Sequence, residues 1–264
     1  MKKLLSLLPL LSLIPLLQAQ EPLPQGFDVQ SFNRKFETAK WLNDYEMASW
    51  ITLDYIRGQQ SDKTGSIGRD WFCYRDRDSI WHAVYGSFDG EKYEVLFFLR
   101  VDTTWSVSSD PAIPPQSFLV PRARAIETAY GRLMRDHRDL QVQLSHYLRT
   151  NNDGTFTVWF FPSMLQNGMA VYGGEFSYTL DASGKKILRS SGYYTGHFKG
   201  FPVENGPEEI TLDYSDVDQP TLGGILFVWE YKEFFKKIKL ETSRSTSSVL
   251  KDHTGEYYWI HVEK

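Results

Sequence analysis

The stretch WFCYRDRDSIWHAVYG, residues 71 to 86, marks the point where the chain changes from helical to strand periodicity. Upstream, apolar side chains recur at three- and four-residue steps, whereas within the stretch the period is two. It holds the one cysteine of the chain, Cys73, and one of its six histidines, His82. The stretch predicts the first hairpin of an antiparallel sheet, and it raises the question of whether Cys73 and His82 act together.

The length of the hairpin loop after Arg75 decides whether those two side chains meet. A loop of two or four residues pairs Cys73 with His82 and brings their Cβ atoms to about 4.5–5.5 Å. A loop of three residues pairs Cys73 with Trp81 and turns His82 to the other face. Even when paired, a mid-strand apolar setting raises the pKa of a thiol, so a buried structural cysteine is favoured over a catalytic one.

The segments on either side of this hairpin have clear patterns. Spacing of apolar residues predicts one long or two short helices over residues 28–56, with Asp28 as the N-cap. Strands are predicted over 79–88 and 92–101, joined at an Asp-Gly turn. The Ser/Pro-rich connection over 102–120 makes Trp105 a candidate surface binding residue, with coverage of a sheet edge as the alternative.

The remainder of the chain repeats this order. Pro121 is predicted to open a second helix that ends near Asp136, and a second meander follows over 140–197. An acidic loop over 204–218 then precedes a third helix over 221–236 and a terminal hairpin that turns at 252–255.

The word AVYG, at 83–86 and again at 170–173, leaves open whether helix-plus-meander units are duplicated. The fold class predicted is α+β, with largely antiparallel β meanders and about three helices. Residues 21–264 are expected to form a single domain, with a sub-boundary in the 102–120 connection left open.

The first 20 residues, MKKLLSLLPLLSLIPLLQAQ, are typical of a cleavable signal peptide. Their apolar run is too short to span a bilayer, and no cysteine follows that would carry a lipid anchor. A periplasmic or secreted bacterial protein without a transmembrane anchor is therefore expected. With Cys73 alone, the mature chain forms no internal disulfide.

Charge disfavours a nucleic-acid partner. Loss of Lys2 and Lys3 with the signal leaves 27 of the 29 basic side chains against 33 acidic ones, a formal net charge of −6. Nucleic-acid binding requires a basic footprint that this balance does not supply. The histidines show none of the short paired spacings of metal sites, and no metal or cofactor is predicted.

Aromatic content is high, with 8 Trp, 15 Tyr and 17 Phe. Rings exposed on a sheet form flat platforms for sugars or peptides. The candidates are Tyr193, Tyr194, Tyr257 and Trp259, which fall in runs where strand alternation must expose some members. A thick two-sided core is the competing explanation.

Three segments also carry a resemblance: WLNDYEMASWITLDYI, WFCYRDRDSIWHAVYG and FPSMLQNGMAVYGGEFSYTLDASGKKIL. They are similar to a loose group of bacterial exported proteins, and the resemblance implies no activity and no site residues. We expect a non-catalytic binding or structural module of the cell envelope, with an envelope polymer, a carbohydrate or a protein as partner. The alternative is a hydrolase of envelope or extracellular polymers with a Cys73/His82 centre.

Overall fold

Three helices and three four-stranded sheets make up the fold, as a computed structural model describes it over residues 26–59 and 68–264. The predicted signal peptide, residues 1–20, lies outside the described residues. Nearly all strand pairs are antiparallel. The predicted α+β class with antiparallel meanders is confirmed.

The first unit is a single helix followed by a meander. Helix α1 spans Val29–Gly58, and the Asp28 side chain caps it by accepting a hydrogen bond of 2.8 Å from the Ser31 N–H. Sheet A follows in the order β1-β2-β3-β4. Its strands are β1 Phe72–Arg75, β2 Trp81–Phe88, β3 Tyr93–Val101 and β4 Val107–Ser109.

The second unit begins earlier than its proline indicates. Helix α2 spans Gln116–Asp136, so Pro121 lies inside it rather than at its first turn. The start is fixed instead by Gln116, whose side-chain amide bonds to both the N–H and the carbonyl of Tyr93. Sheet B has the order β5-β6-β7-β8. Its strands are β5 Leu144–Thr150, β6 Phe156–Pro162, β7 Met169–Leu180 and β8 Ile187–Pro202.

The third unit departs from the predicted order of helix then sheet. Strand β9, Glu209–Tyr214, lies within the predicted acidic loop, because its alternate residues Ile210 and Leu212 are buried. Helix α3, Leu222–Tyr231, then returns the chain to a parallel partner, β10. Sheet C has the order β12-β11-β10-β9. Its later strands are β10 Lys237–Thr242, β11 Ser245–Lys251 and β12 Tyr257–Glu263.

The two AVYG words occupy different places in their sheets. One lies in β2, the second strand of sheet A, and the other in β7, the third strand of sheet B. Both end at a register shift, at Tyr85/Gly86 and at Tyr172/Gly174. A Cβ on Gly86 would lie 2.0 Å from the Glu94 carbonyl oxygen, so only glycine fits there. The shared word therefore marks two bulges rather than equivalent strands.

Two buried clusters form the core. The first joins α1 and α3 to all three sheets, and the second packs α2 between sheets A and B. Burial of this apolar surface is the main stabilising contribution to the fold. None of the helices in the described ranges is both long and apolar enough to cross a membrane.

Candidate functional site: an arginine cleft beside the first hairpin

The β1–β2 loop separates Cys73 from His82. Arg75 pairs with Trp81, which leaves a five-residue loop, so Cys73 lies opposite Ala83 and Tyr74 lies opposite His82. Asp76 fixes this loop because its Oδ1 accepts the N–H groups of Asp78 and Ile80, both at 2.9 Å. The two side chains therefore point to opposite faces, and the structure does not assemble the Cys73/His82 centre.

Cys73 sits in the core. Its side chain is fully buried, and its backbone N–H donates to the Tyr45 hydroxyl at 2.9 Å. Burial raises the pKa of the thiol well above its ordinary value, and the nearby Glu46 carboxyl raises it further. An activated nucleophile needs the opposite shift.

His82 ties the first loop to the end of sheet A. Its Nε2 lies 3.0 Å from Asp76 Oδ2, and its Nδ1 lies 3.2 Å from Asp110 Oδ2. The imidazole is stacked near the rings of Tyr74 and Phe98, at centroid distances of 4.8 and 5.5 Å, and those two rings lie 6.5 Å from each other. The Nε2 contact with Asp76 and the packing against two aromatic rings hold the imidazole in place, which is a structural role, whereas Nδ1 lies near Asp110 without a hydrogen bond among the described residues.

A cleft of about 500 Å³ opens beside this hairpin and is lined by both Cys73 and Tyr74. We call it the arginine cleft, because residues from β1, its loop, α2 and β5 bring four guanidinium groups to it. The arginines are Arg75, Arg77, Arg122 and Arg149, and the aromatic walls are Trp41, Tyr74 and Phe118.

Arg122 is the most constrained of the four. It donates from Nη1 to the Phe118 carbonyl at 2.8 Å and from Nη2 to the Thr150 hydroxyl at 3.0 Å, while its guanidinium lies 3.4 Å from the Phe118 ring centroid. Its buried Nε has no hydrogen-bond partner among the described residues. Burial lowers the pKa of Arg122 to about 10, so the group stays charged at neutral pH.

Arg149 and Arg75 are also held in place. The Arg149 guanidinium lies 4.9 Å from the Trp159 centroid and 5.6 Å from that of Trp41, and burial lowers its pKa. Arg75 donates from Nε to the Ser79 carbonyl at 3.1 Å. Stacking on aromatic faces and bonds to carbonyls orient these cations before any ligand arrives.

No carboxylate in the described ranges lies within ion-pair distance of these four arginines. Asp76 lines the cleft, but its two oxygens are committed to the loop N–H groups and to His82. Asp44 is near enough for Arg75 to lower its pKa, although burial, the larger effect, keeps that pKa raised. The cleft therefore carries an excess of positive charge, with four arginines against the carboxylate of Asp76.

The aromatic candidates from the sequence are not brought together. Trp105 is exposed in the β3–β4 turn, with a φ of 62°. Tyr193 donates its hydroxyl to Asp216 at 2.8 Å, whereas Tyr194 packs against Phe176. Tyr193 and Tyr194 both line a separate cavity of about 290 Å³.

On the terminal strand, the candidates Tyr257 and Trp259 are both half-buried. Trp259 packs at 5.0 Å against Phe32, and Tyr257 lies half-buried under the Lys232 ammonium. Tyr258, between them, is 46% exposed. None of the five aromatic candidates lines the arginine cleft.

Sequence reasoning also missed a pair of buried acids. Glu46 on α1 and Glu230 on α3 are close enough that Glu46 raises the pKa of Glu230, although burial is the larger cause. Burial likewise raises the pKa of Glu46, against hydrogen bonds from Tyr147 and Ser145 that lower it. The cavity beside Glu230 measures about 20 Å³, which leaves no room for a sugar between catalytic carboxylates.

The arginine cleft had one local signal in the sequence, the alternating RDRD of residues 75–78. The two other arginines come from α2 and β5 and carry no motif. Among the described residues no group of three or more His, Cys, Asp or Glu side chains converges as a metal site. No family model, curated protein or solved structure matches this chain.

Proposed function

We propose that this protein is an exported, non-catalytic binding module of the cell envelope, and that it binds an anionic ligand in the arginine cleft. The observation that carries the proposal is the convergence of Arg75, Arg77, Arg122 and Arg149 without a carboxylate partner. Guanidinium groups recognise carboxylates and phosphates by paired N–H donors.

The energetics favour an anion as the missing partner. Arg122 and Arg149 are partly desolvated cations, and desolvation of an unpaired charge is unfavourable. A bound anion compensates this cost. The buried Arg122 Nε–H, which has no partner among the described residues, can donate to an oxygen of that anion. Binding to the folded state alone also raises the stability of the protein.

The walls of the cleft narrow the ligand class. Trp41, Tyr74 and Phe118 supply aromatic faces, on which the apolar face of a sugar ring packs. An acidic saccharide, such as a uronic acid within an envelope polymer, presents both the ring and the carboxylate. This class agrees with the carbohydrate partner expected from the aromatic content.

Calorimetric titration with galacturonate, with neutral galactose and with inorganic phosphate tests the proposal. We expect galacturonate to bind more tightly than either galactose or phosphate, and Arg122→Met to weaken that binding at least about tenfold, since it removes a charge-assisted contact.

Arg124→Met is the matched control, because Arg124 lies on the same helix but bonds to the Gly90 carbonyl outside the cleft. Equal loss in both variants, or no difference between galacturonate and galactose, contradicts the proposal. Binding of phosphate at least as tight as that of galacturonate, with the same dependence on Arg122, would retain the anion site and exclude the saccharide class.

A further inference from the structure

Strand β12 leaves one of its two edges open. It pairs with β11 along all seven of its residues, and within the described residues no backbone group bonds to its other edge. The Asp252 N–H donates to the Glu256 carbonyl, and the Lys264 N–H donates to the Arg244 carbonyl. The backbone groups of the even-numbered residues of β12 therefore point toward β11. The N–H and carbonyl groups of Trp259 and His261 therefore face the open edge.

Three other edge strands, β4, β8 and β9, carry the usual protection against pairing. Strand β4 is three residues long, and β9 places the charges of Glu209 and Asp213 outward. Strand β8 contains three glycines, Lys199 and the terminal Pro202. By contrast, residues 257–262 of β12 contain no lysine, acid, glycine or proline. Short length, charge and proline are the devices that keep edges apart, and β12 has none of them along this run.

The outward face of β12 is apolar. Tyr258, Ile260 and Val262 are 46%, 37% and 60% exposed, while Trp259 packs inward on α1. An apolar strip on an open edge strand is a template for a further strand. The question is which strand matches it.

We propose that two copies of this chain pair through β12, antiparallel and centred on Ile260, to form one eight-stranded sheet. In that register Ile260 faces the partner's Ile260, and Tyr258 faces the partner's Val262. Aromatic and β-branched cross-strand pairs of this kind are favourable.

Charge complementarity at both ends supports the same register. Glu256 faces the partner's Lys264, and the two-fold axis repeats this pair at the other end of the strand. The Glu256 carboxylate makes no ion pair within the described residues. Lys264 donates to the Thr242 carbonyl at 2.8 Å and lies 3.8 Å from Glu241 Oε2, and its ammonium, with three N–H donors, retains one for the partner's Glu256. Since the axis closes the contact, the product is a dimer rather than a filament.

Sedimentation velocity of the chain lacking residues 1–20, over a range of concentrations, tests this pairing. We expect a reversible dimer, and we expect Ile260→Lys to weaken it at least about tenfold, because two ammonium groups then face each other at the centre. Thr211→Lys is the control, since Thr211 is equally outward on the same sheet but lies on the opposite edge strand. It should leave the dimer unchanged.

Charge reversal tests the register itself. Glu256→Lys and Lys264→Glu each place like charges at both ends and should each weaken the dimer, whereas an equimolar mixture of the two variants should restore it as a heterodimer. A monomer at all concentrations overturns the proposal. So does a dimer that Ile260→Lys leaves intact, or a mixture that associates no better than its components.

Discussion

The arginine cleft and the Glu46–Glu230 pair both remove charged side chains from water, and they resolve the cost in opposite ways. In the acid pair, burial raises both pKa values, so a carboxyl avoids the penalty by keeping its proton. Arg122 has no such option, because its pKa, even lowered by burial to about 10, leaves it charged. Glu46 is buried in the core and Glu230 is half-buried beside a cavity of about 20 Å³, whereas the arginines lie beside a cleft of about 500 Å³.

This difference separates a structural charge from a binding charge. A buried acid that protonates needs no partner, and its surroundings can close over it. A desolvated guanidinium stays charged and keeps its attraction for an anion. Perturbed pKa values mark both regions, but only the arginine cleft has groups that cannot neutralise themselves and remains open, and the proposed anion binding rests on that difference.

Replacement of the two acids should have the largest effect on stability. Because the folded pKa values are raised, folding takes up protons and the free energy of unfolding should fall as the pH rises above about 4.5, the ordinary value. Glu46→Gln with Glu230→Gln should flatten this fall, by about 1–3 kcal/mol for each buried charge removed at pH 8.

Urea unfolding at pH 5 and pH 8 measures this change in the free energy of unfolding. Glu91→Gln, at an exposed turn position, is the control and should leave the pH profile unchanged. A double variant with the wild-type profile would mean that the pair does not titrate between these pH values and that the two acids do not avoid the cost of burial by protonation.

Cys73 lies between the arginine cleft and the acid pair. It lines the base of the cleft but is fully buried, and the nearby Glu46 carboxyl raises the pKa of its thiol. Cys73→Ser should lower the free energy of unfolding by about 1–2 kcal/mol by placing a hydroxyl in an apolar site. Iodoacetamide at pH 8 should alkylate the native thiol far more slowly than the thiol in denaturant. Comparable rates in the two states would show that the base of the cleft is open to solvent.

Arg122→Met should have a smaller effect on stability. It removes an unpaired cation but keeps an unbranched side chain on the Phe118 ring, so the free energy of unfolding in anion-free buffer should change by less than about 1 kcal/mol. The wild-type protein should gain thermal stability from added phosphate or galacturonate, and the variant should not. Retention of that gain in Arg122→Met would place the anion elsewhere.

Arg77→Met should have the smallest effect, because Arg77 is exposed on the loop. We expect a change in unfolding free energy of under about 0.5 kcal/mol and a two- to threefold weakening of anion binding, as about one screened charge is lost. The weakening should vanish in about 1 M salt. A loss as large as that of Arg122→Met, or one that persists in high salt, would give Arg77 a direct contact.

Local signals predicted much of the fold. The Asp28 cap and the turns at Asp89-Gly90 and at 252–255 are confirmed, since each depends on residues adjacent in sequence. The helix start predicted from Pro121 was wrong because the Gln116 side chain, five residues earlier, bonds the start of the helix to Tyr93. Strand β9 was missed because its partner, β10, lies beyond a helix.

The site was largely beyond reach of the sequence. Whether Cys73 meets His82 depends on one residue of loop length, and the deciding bonds come from the side chain of Asp76. The arginine cleft draws on four separate elements, so the spacing of Arg75, Arg122 and Arg149 along the chain carries no information. What matters is which carboxylates are absent from their surroundings, and that is a property of the folded molecule.

The two ends of the described chain meet, because the Phe27 N–H donates to the Glu263 carboxylate at 2.8 Å and the Phe27 ring stacks on His261. Sheets A and B are meanders of neighbouring segments, which close quickly during folding since little chain entropy is lost. Helix α1, however, packs on α3 and on β12, which lie far from it in the sequence. The first helix is therefore without its full set of contacts until the β11–β12 hairpin has formed.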